Sequence, residues 1–223
     1  MNFIVDLIAA TLRNATPLVY GAVGETYAER SGVLNLGIEG TMYAGAFSGF
    51  AVAYTTGSLL LGLVAAIVVG LVAGSLMAFL TVTLGANQHV SGIGLTILLI
   101  GLSEFFNRLM FGGTEVQRID PFPQLEAPTI LGSLAPLFSQ YGLTWIAFLV
   151  VVPGAWWVLN RSSFGLEVRA VGENPEAADA AGIRVAQTRY LALMLGGALM
   201  IAYFGSGPLS LDSVLRRKKR EKQ

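Results

Sequence analysis

The chain has 223 residues, of which 54% are hydrophobic and only 13% charged, and its formal net charge is zero. A soluble domain usually carries about 25% charged residues, so the composition excludes an ordinary water-facing surface and indicates a membrane protein. Cysteine is absent and His89 is the one histidine, which excludes disulfides, thiolate or polyhistidine metal sites and a cysteine nucleophile.

Six apolar segments predict an all-α fold, a polytopic transmembrane helical bundle with about six membrane segments. In lipid the backbone must satisfy its own hydrogen bonds, which favours helices over isolated strands. The first segment contains Asp6 and Arg13 and either spans the membrane or lies in its interface, whereas the third has no charge and is the clearest span. In chain order the segments are residues 3–24, 36–56, 58–84, 90–111, 142–160 and 190–209.

The third segment carries a stripe of small residues. Gly62, Ala66, Gly70 and Gly74 recur every four residues and therefore share one helix face. Small residues let the backbones of neighbouring membrane helices approach closely. We expect this stripe to be a packing surface without a chemical role.

The arginines predict the orientation of the segments. The connection at residues 161–189 carries four arginines, whereas the loop at residues 112–141 carries one. Because cytoplasmic loops of membrane proteins are enriched in Lys and Arg, we expect the former to be cytoplasmic and the latter external. By alternation, the polar connection at residues 25–35 and the turn at residues 85–89 are then also cytoplasmic.

A short helix is predicted inside the connection at residues 161–189. Asn174 suits a helix cap, Pro175 the first helical position and Glu176 the first turn. Alanines follow, and Gly182 suits the helix end. A helix this short is marginal in water, so it either docks into a groove of a partner or is an ordinary connecting helix lying on the membrane.

The same connection resembles a known family. The segment Arg169–Ile183 resembles the cytoplasmic EAA-type loop of permeases in ATP-binding-cassette (ABC) importers, with the Glu-Ala-Ala-x-x-x-Gly spacing at Glu176–Gly182. The segment Glu29–Gly40 resembles the N-terminal signature of the branched-chain amino acid/sugar permease family, and Gly85–Gly92 resembles its simple-sugar and nucleoside branch. The similarity extends from about residue 10 to about residue 208.

The resemblance implies a transport subunit without catalytic residues. It implies a coupling helix that sits in a cleft of a cytoplasmic ATPase subunit. The other implied partners are a second permease subunit, identical or different, an extracytoplasmic solute-binding protein and the lipid bilayer of the plasma (inner) membrane; we expect no nucleic acid partner. This chain would bind no cofactor or metal, since ATP binds to the ATPase subunits, and the implied solute is a nucleoside or simple sugar. The implied coupling residues are Asn174, Pro175, Glu176, Ala177, Ala178 and Gly182.

Three polar residues near the ends of apolar segments are candidates for lining a translocation path. They are Asn35, Glu39 and Asn87. A buried acid in a membrane is costly unless it is paired or wet. Glu39 therefore lines the path, pairs with Arg30, or lies near water at the cytoplasmic end of its helix.

The end of the fourth segment is expected to be structural. Glu104 and Arg108 are four residues apart, so they share a helix face on which they could form an ion pair. We expect this pair to solvate the external helix end rather than to bind solute. Phe105, Phe106 and Phe111 are expected to contact lipid or other helices.

A membrane enzyme and a passive channel are the two rival classes of function. A membrane enzyme would need convergent acids, bases or metal ligands at membrane depth, and one histidine with few intramembrane acids disfavours it. A passive channel stays open as an alternative. Nothing in the sequence resembles a selectivity filter, and the coupling-helix resemblance favours an ATPase partner.

The C-terminal tail suggests a further alternative, a truncated and transport-inactive permease. Residues 216–223 hold six basic residues and one acid, so they carry a net charge of +5 and the rest of the chain carries −5. If residues 190–209 span the membrane, this tail is external, against the positive-inside rule. Either that segment re-enters without crossing, or the tail is not permease sequence. The expected organisation is a transmembrane permease domain at residues 1–209, possessing the coupling loop at 161–189, and a basic tail at 210–223.

Overall fold

The computed structural model describes residues 3–112 and 135–201. The expectations for the basic tail, and for most of the loop at 112–141, lie outside these residues. Within them the chain is a bundle of helices, as the sequence predicts. We label the helices α1 (Phe3–Arg30), α2 (Ile38–Thr56), α3 (Leu59–Thr83), α4 (Gln88–Phe111), α5 (Ala135–Phe138), α6 (Gly142–Arg161), α7 (Ser163–Glu173), α8 (Pro175–Ala180) and α9 (Val185–Ile201).

Three of the described helices, α3, α4 and α6, are long and apolar enough to cross a membrane. Their hydrophobic surface is mostly uncovered, since the other helices bury at most 28% of the most apolar stretch of any of them. Apolar surface of this extent needs a nonpolar solvent. The predicted membrane bundle is therefore confirmed as an all-α assembly, in which the shorter or more polar helices α1, α2 and α9 pack beside these spans.

Helix α1 differs from its prediction in length. The sequence suggested a helix over residues 3–24 followed by a polar connection, but α1 continues through Pro17 to Arg30. It continues because Glu25 is buried against the protein rather than solvated, and its Oε1 accepts the backbone N–H of Asn35 at 2.9 Å. At 1.5 Å per residue, α1 is about 42 Å long.

The two ends of α1 contact opposite faces of the bundle. Near its start, the backbone carbonyl of Ala9 accepts from the Gln140 side chain at 3.3 Å, just before α6. At its other end, Arg30 lies against Gly172 at the end of α7. Helix α1 therefore runs from one face of the bundle to the other, which favours a membrane span over a helix lying in the membrane interface.

Glycines hold the centre of the bundle together. The stripe on α3 is buried, and a methyl group on Gly70 would lie 2.3 Å from the backbone oxygen of Gly197 on α9. On the opposite side of α9, a methyl group on Gly196 would lie 2.6 Å from the oxygen of Gly24 on α1. Backbones this close leave no room for a side chain. The predicted packing role of the small-residue stripe is confirmed, with α9 between α1 and α3.

The connection at residues 161–189 is more helical than its composition suggested. Helix α7 fills residues 163–173, and α9 begins at Val185 rather than near residue 190. The Ser162 hydroxyl caps α7 by accepting the N–H of Gly165 at 3.0 Å. Val168 and Val171 are fully buried, so an apolar stripe hidden among charged residues drives α7 onto the bundle.

Candidate functional site

Three connections meet on one face of the bundle, which we call the connection face. They are the α1–α2 connection, the α3–α4 turn and the segment from α7 to the start of α9. Gln88 at the start of α4 accepts the backbone N–H of Leu34 at 2.8 Å. The hydroxyls of Tyr190 on α9 and Thr83 on α3 are 2.6 Å apart. The prediction that these three connections share one side is confirmed.

Helix α8 has the start and end that the sequence predicts. The Asn174 side-chain oxygen accepts the N–H of Ala177 at 3.0 Å, and Pro175 occupies the first helical position. At the other end, Gly182 has a φ of +86°, a left-handed conformation that glycine adopts without steric cost. The N–H of Ile183 then bonds back to the carbonyl of Ala178 at 3.0 Å. These two hydrogen bonds, together with Pro175 and Gly182 at the helix ends, make α8 a defined single unit despite its length.

Helix α8 presents most of its surface to solvent. Ala178 is buried and faces the bundle, while Glu176, Ala177 and Asp179 are exposed. Beside α8 lies an open depression of about 630 Å³, and Glu176, Asp179 and Arg184 are among the residues that line it. A helix with small side chains on its exposed face, next to a depression lined by charges of both signs, is suited to contact with another protein.

The segment that carries α8 is fastened to the α1–α2 connection. A methyl group on Gly172, at the end of α7, would lie 2.2 Å from the backbone oxygen of Arg30. Gly32 opposite it has a φ of +81°, and its own methyl position would lie 3.3 Å from the Gly172 Cα. The Nε of Arg189 donates to the Ser31 carbonyl at 3.2 Å. The two sequence motifs, Glu29–Gly40 and Arg169–Ile183, are therefore in direct contact.

Two of the predicted path residues hold local backbone structure. Asn35 is buried and its side-chain oxygen accepts the N–H of Gly37 at 2.9 Å, which closes the turn before α2. Asn87 caps α4 by accepting the N–H groups of His89 and Val90 at 3.0 and 3.3 Å. Both lie on the connection face. A part in the translocation path stays a prediction for each.

Glu39 is exposed in the first turn of α2. An acid at that position complements the helix dipole. In the part of the chain that the structure describes, it forms no ion pair with Arg30. Of the three sequence-based expectations for Glu39, the position near water fits, and a part in the path stays a prediction.

A polar contact between α2 and α4 was not predicted from the sequence. Tyr43 on α2 donates its hydroxyl proton to Oε1 of Glu104 on α4. The expected pairing of Glu104 with Arg108 is wrong, since Arg108 is exposed and the described residues give Glu104 the tyrosine instead. Periodicity along one helix reveals only partners within that helix, so sequence spacing gave no signal for a contact across 61 residues.

Comparison with known proteins relates the chain to membrane transport components. Residues 7–205 match the family described as the permease component of branched-chain amino acid transport systems. No solved structure matches the chain. The family match spans both motifs on the connection face and nearly all of the described helices.

Named relatives give the same picture. The chain is 34% identical to the guanosine ABC transporter permease protein NupQ of Bacillus subtilis, over 86% of this chain and 63% of that protein. It is 32% identical to the nucleoside ABC transporter permease protein NupC of Lactococcus lactis, over 89% of this chain and 66% of that protein. A Haloferax volcanii protein, TsgC13, with a provisional name as a glucose ABC transporter permease, is 40% identical over 88% of this chain and 60% of its own length. The chain thus spans about three fifths to two thirds of these relatives.

Proposed function

This chain belongs to the family of permease components of branched-chain amino acid transport systems, and we propose that it is the membrane-spanning permease subunit of an ABC importer for a nucleoside or simple sugar. The helical bundle makes it an integral membrane protein. We place it in the plasma membrane, with the connection face on the cytoplasmic side, where the arginine-rich segment belongs by the positive-inside rule.

The observation that carries this proposal is the exposed, capped helix α8 mounted on the connection face. Its outer surface is free of contacts with the rest of the described chain, whereas its base at Ala178 is buried. The coupling role that the sequence implies for Asn174, Pro175, Glu176, Ala177, Ala178 and Gly182 needs this arrangement. An ATPase subunit has to bind the exposed face of α8, while α8 stays rigidly joined to the bundle.

The proposed mechanism transmits force and makes or breaks no covalent bond in this chain. Two cytoplasmic ATPase subunits bind and hydrolyse ATP, and their movement displaces α8. Because Gly172 and Arg189 tie the α8 segment to the α1–α2 connection, the displacement reaches α1 and α2 directly. An extracytoplasmic solute-binding protein delivers the solute at the opposite face.

A second permease subunit completes the proposed path. The other described helices leave the apolar helices α3, α4 and α6 largely uncovered, which leaves surface for a partner subunit as well as for lipid. The nucleoside and sugar names of the relatives support a small polar solute with a ring. The passive-channel alternative needs no ATPase partner, so the two functions differ in a measurable way.

Association with the ATPase tests the proposal. We expect the wild-type chain, co-expressed with the ATPase subunits of its importer, to co-purify with them in detergent. Glu176→Lys reverses the charge on the outer face of α8 and should reduce recovery of the ATPase at least several-fold. Glu39→Lys is the matched control, since Glu39 is another exposed acid on the connection face but lies outside α8; it should leave recovery unchanged. Equal recovery with Glu176→Lys and wild type would contradict the coupling role.

A further inference from the structure

The contact between Tyr43 and Glu104 lies at membrane depth. Helix α4 begins at Gln88 and ends at Phe111, so Glu104 is about 24 Å along the axis from its start and about 10 Å from its end. The hydrocarbon core of a bilayer is about 30 Å thick. The carboxyl group of Glu104 is therefore well inside the thickness of the membrane rather than at the external end of the helix.

The pair is only half-buried. Both Tyr43 and Glu104 retain intermediate exposure, so the described residues leave one side of the pair uncovered. An ionisable group facing lipid is unfavourable, and such residues in membrane helices face a water-filled cavity or the interior of the assembly. The open side of the pair therefore faces a water-filled cavity or the interior of the assembly.

Aromatic rings continue from the pair along the same contact. Tyr43, Phe50 and Tyr54 have helical spacings of seven and four, so they share one face of α2, and Glu104 and Phe111 are seven apart on α4. The Phe111 ring lies 5.5 Å from that of Phe50 and 5.3 Å from that of Tyr54, centroid to centroid. We call these five residues the α2–α4 seam.

We propose that the α2–α4 seam is a binding subsite for a ring solute with adjacent hydroxyl groups, such as the ribose and base of a nucleoside. This inference rests on the proposed permease function and deepens it. A carboxylate accepts hydrogen bonds, so Glu104, oriented by the Tyr43 hydroxyl through Oε1, accepts hydrogen bonds from adjacent hydroxyls of the solute. Aromatic faces stack on flat rings of any base. The Tyr43 ring lies at the carboxylate, and the Phe50, Tyr54 and Phe111 rings lie about two helical turns, roughly 10 Å, further along the seam.

Equilibrium binding to the purified full chain in lipid nanodiscs tests this subsite. The probes are radiolabelled guanosine, 2′,3′-dideoxyguanosine, which lacks the two ribose hydroxyls, and glucose. We expect Glu104→Gln and Tyr43→Phe each to weaken binding by about tenfold or more, because each removes part of a charge-assisted hydrogen-bond network. Wild-type chain should bind guanosine more tightly than its dideoxy analogue by a similar factor.

The controls separate solute recognition from folding. Ser103→Ala changes the residue beside Glu104, whose hydroxyl bonds, among the described residues, only to Leu99 of its own helix; it should bind like wild type. If Glu104→Gln elutes as an aggregate, Tyr43→Phe, which keeps the aromatic ring and loses the hydroxyl, tests the subsite in its place. Binding of glucose instead of guanosine, with the same loss in Glu104→Gln, supports the subsite with a hexose as its ligand.

Two results would overturn the subsite. One is wild-type chain that binds neither ring solute, and the other is Tyr43→Phe and Glu104→Gln that bind as tightly as wild type. Either result can be distinguished from failure of the proposed permease role. If wild-type chain still co-purifies with the ATPase, the subsite is wrong and the permease role stands; if it does not, the permease role itself fails.

Discussion

Arg189, near the start of α9, donates from Nε to the backbone carbonyl of Ser31 at 3.2 Å, across 158 residues of chain. This bond joins the segment that carries α8 to the connection between α1 and α2. It lies next to the contact of Gly172 with Arg30 and Gly32. A side chain and two glycines thus fasten the two motifs on which the sequence resemblance depends.

Loss of the Arg189–Ser31 bond should weaken the transmission of force from α8 to α1 and α2 more than it weakens the binding of α8 to the ATPase. We expect Arg189→Ala to reduce ATP-driven uptake in the reconstituted importer several-fold, because it removes a charge-assisted bond to the α1–α2 connection and leaves the outer face of α8 intact. Recovery of the ATPase by co-purification should change little. Uptake of radiolabelled guanosine or glucose into proteoliposomes and ATPase recovery are the two measurements.

Arg184→Ala is the matched control for this prediction. Arg184 lines the same depression beside α8, but among the described residues its side chain bonds only to Gln187, three residues away on the protein surface. It should leave uptake near the wild-type rate. Equal losses in the two variants would show that positive charge in the depression matters and that the bond to Ser31 does not.

Gly172 should tolerate no side chain. Its methyl position meets the Arg30 backbone oxygen at 2.2 Å, and a backbone cannot move aside as a flexible side chain can. Overpacking of this kind destabilises by about 1–3 kcal/mol. We expect Gly172→Ala to lower the thermal unfolding midpoint of the chain in detergent.

The control for Gly172 is Gly154→Ala on α6. Nothing lies within 4 Å of the methyl position of Gly154, and alanine favours a helix interior over glycine by about 0.5–1 kcal/mol. This variant should unfold at or slightly above the wild-type temperature. A midpoint for Gly172→Ala that matches Gly154→Ala would show that α7 is free to shift away from α1.

Several parts of this structure could be predicted from the sequence because their causes are local. The ends of α8 follow from Asn174, Pro175 and Gly182, whose preferences act within a few residues. The stripe containing Gly70 and Gly74 predicts a close helix contact because its periodicity matches the helix. The absence of charge in α3 predicts a membrane span because it is a property of the segment's own composition and needs no distant partner.

The remaining features depend on partners distant in sequence. Glu25 lengthens α1 because it is buried against Asn35, and its charge alone predicted a polar connection. The sequence did not predict helix α7, because the charged residues Glu167 and Arg169 lie beside its buried valines and make the segment look polar. Glu104 meets Tyr43 of another helix, so a spacing rule within α4 selected Arg108 instead. In each case a tertiary contact decided what local composition left ambiguous.

The contact of α3 with α9 should be the most sensitive to added volume in the centre of the bundle. The methyl position of Gly197 lies 2.2 Å from the backbone oxygen of Gly70, and that of Gly70 lies 2.3 Å from the oxygen of Gly197. We expect Gly197→Ala to separate the helices and lower the thermal midpoint, and Gly70→Ala to do the same. Their double variant should lose less than the sum, because the first methyl already forces the helices apart.

Gly101→Ala on α4 controls for the loss of a glycine from a membrane helix. No atom lies within 4 Å of its methyl position, so its unfolding midpoint should not fall. Strict additivity of the Gly70 and Gly197 variants would count against a shared contact between the two glycines.

The chain by itself should not concentrate solute. Accumulation against a gradient needs coupled free energy, which the proposal assigns to ATP hydrolysis in separate subunits. Purified chain in liposomes is therefore expected to give no more internal radiolabelled guanosine or glucose than the external concentration, whether or not ATP is trapped inside. Addition of the ATPase subunits, the partner permease and the solute-binding protein should produce ATP-dependent accumulation. Equilibration by this chain alone, faster than in protein-free liposomes and indifferent to ATP, would instead support the passive channel, and accumulation by this chain alone would contradict both functions.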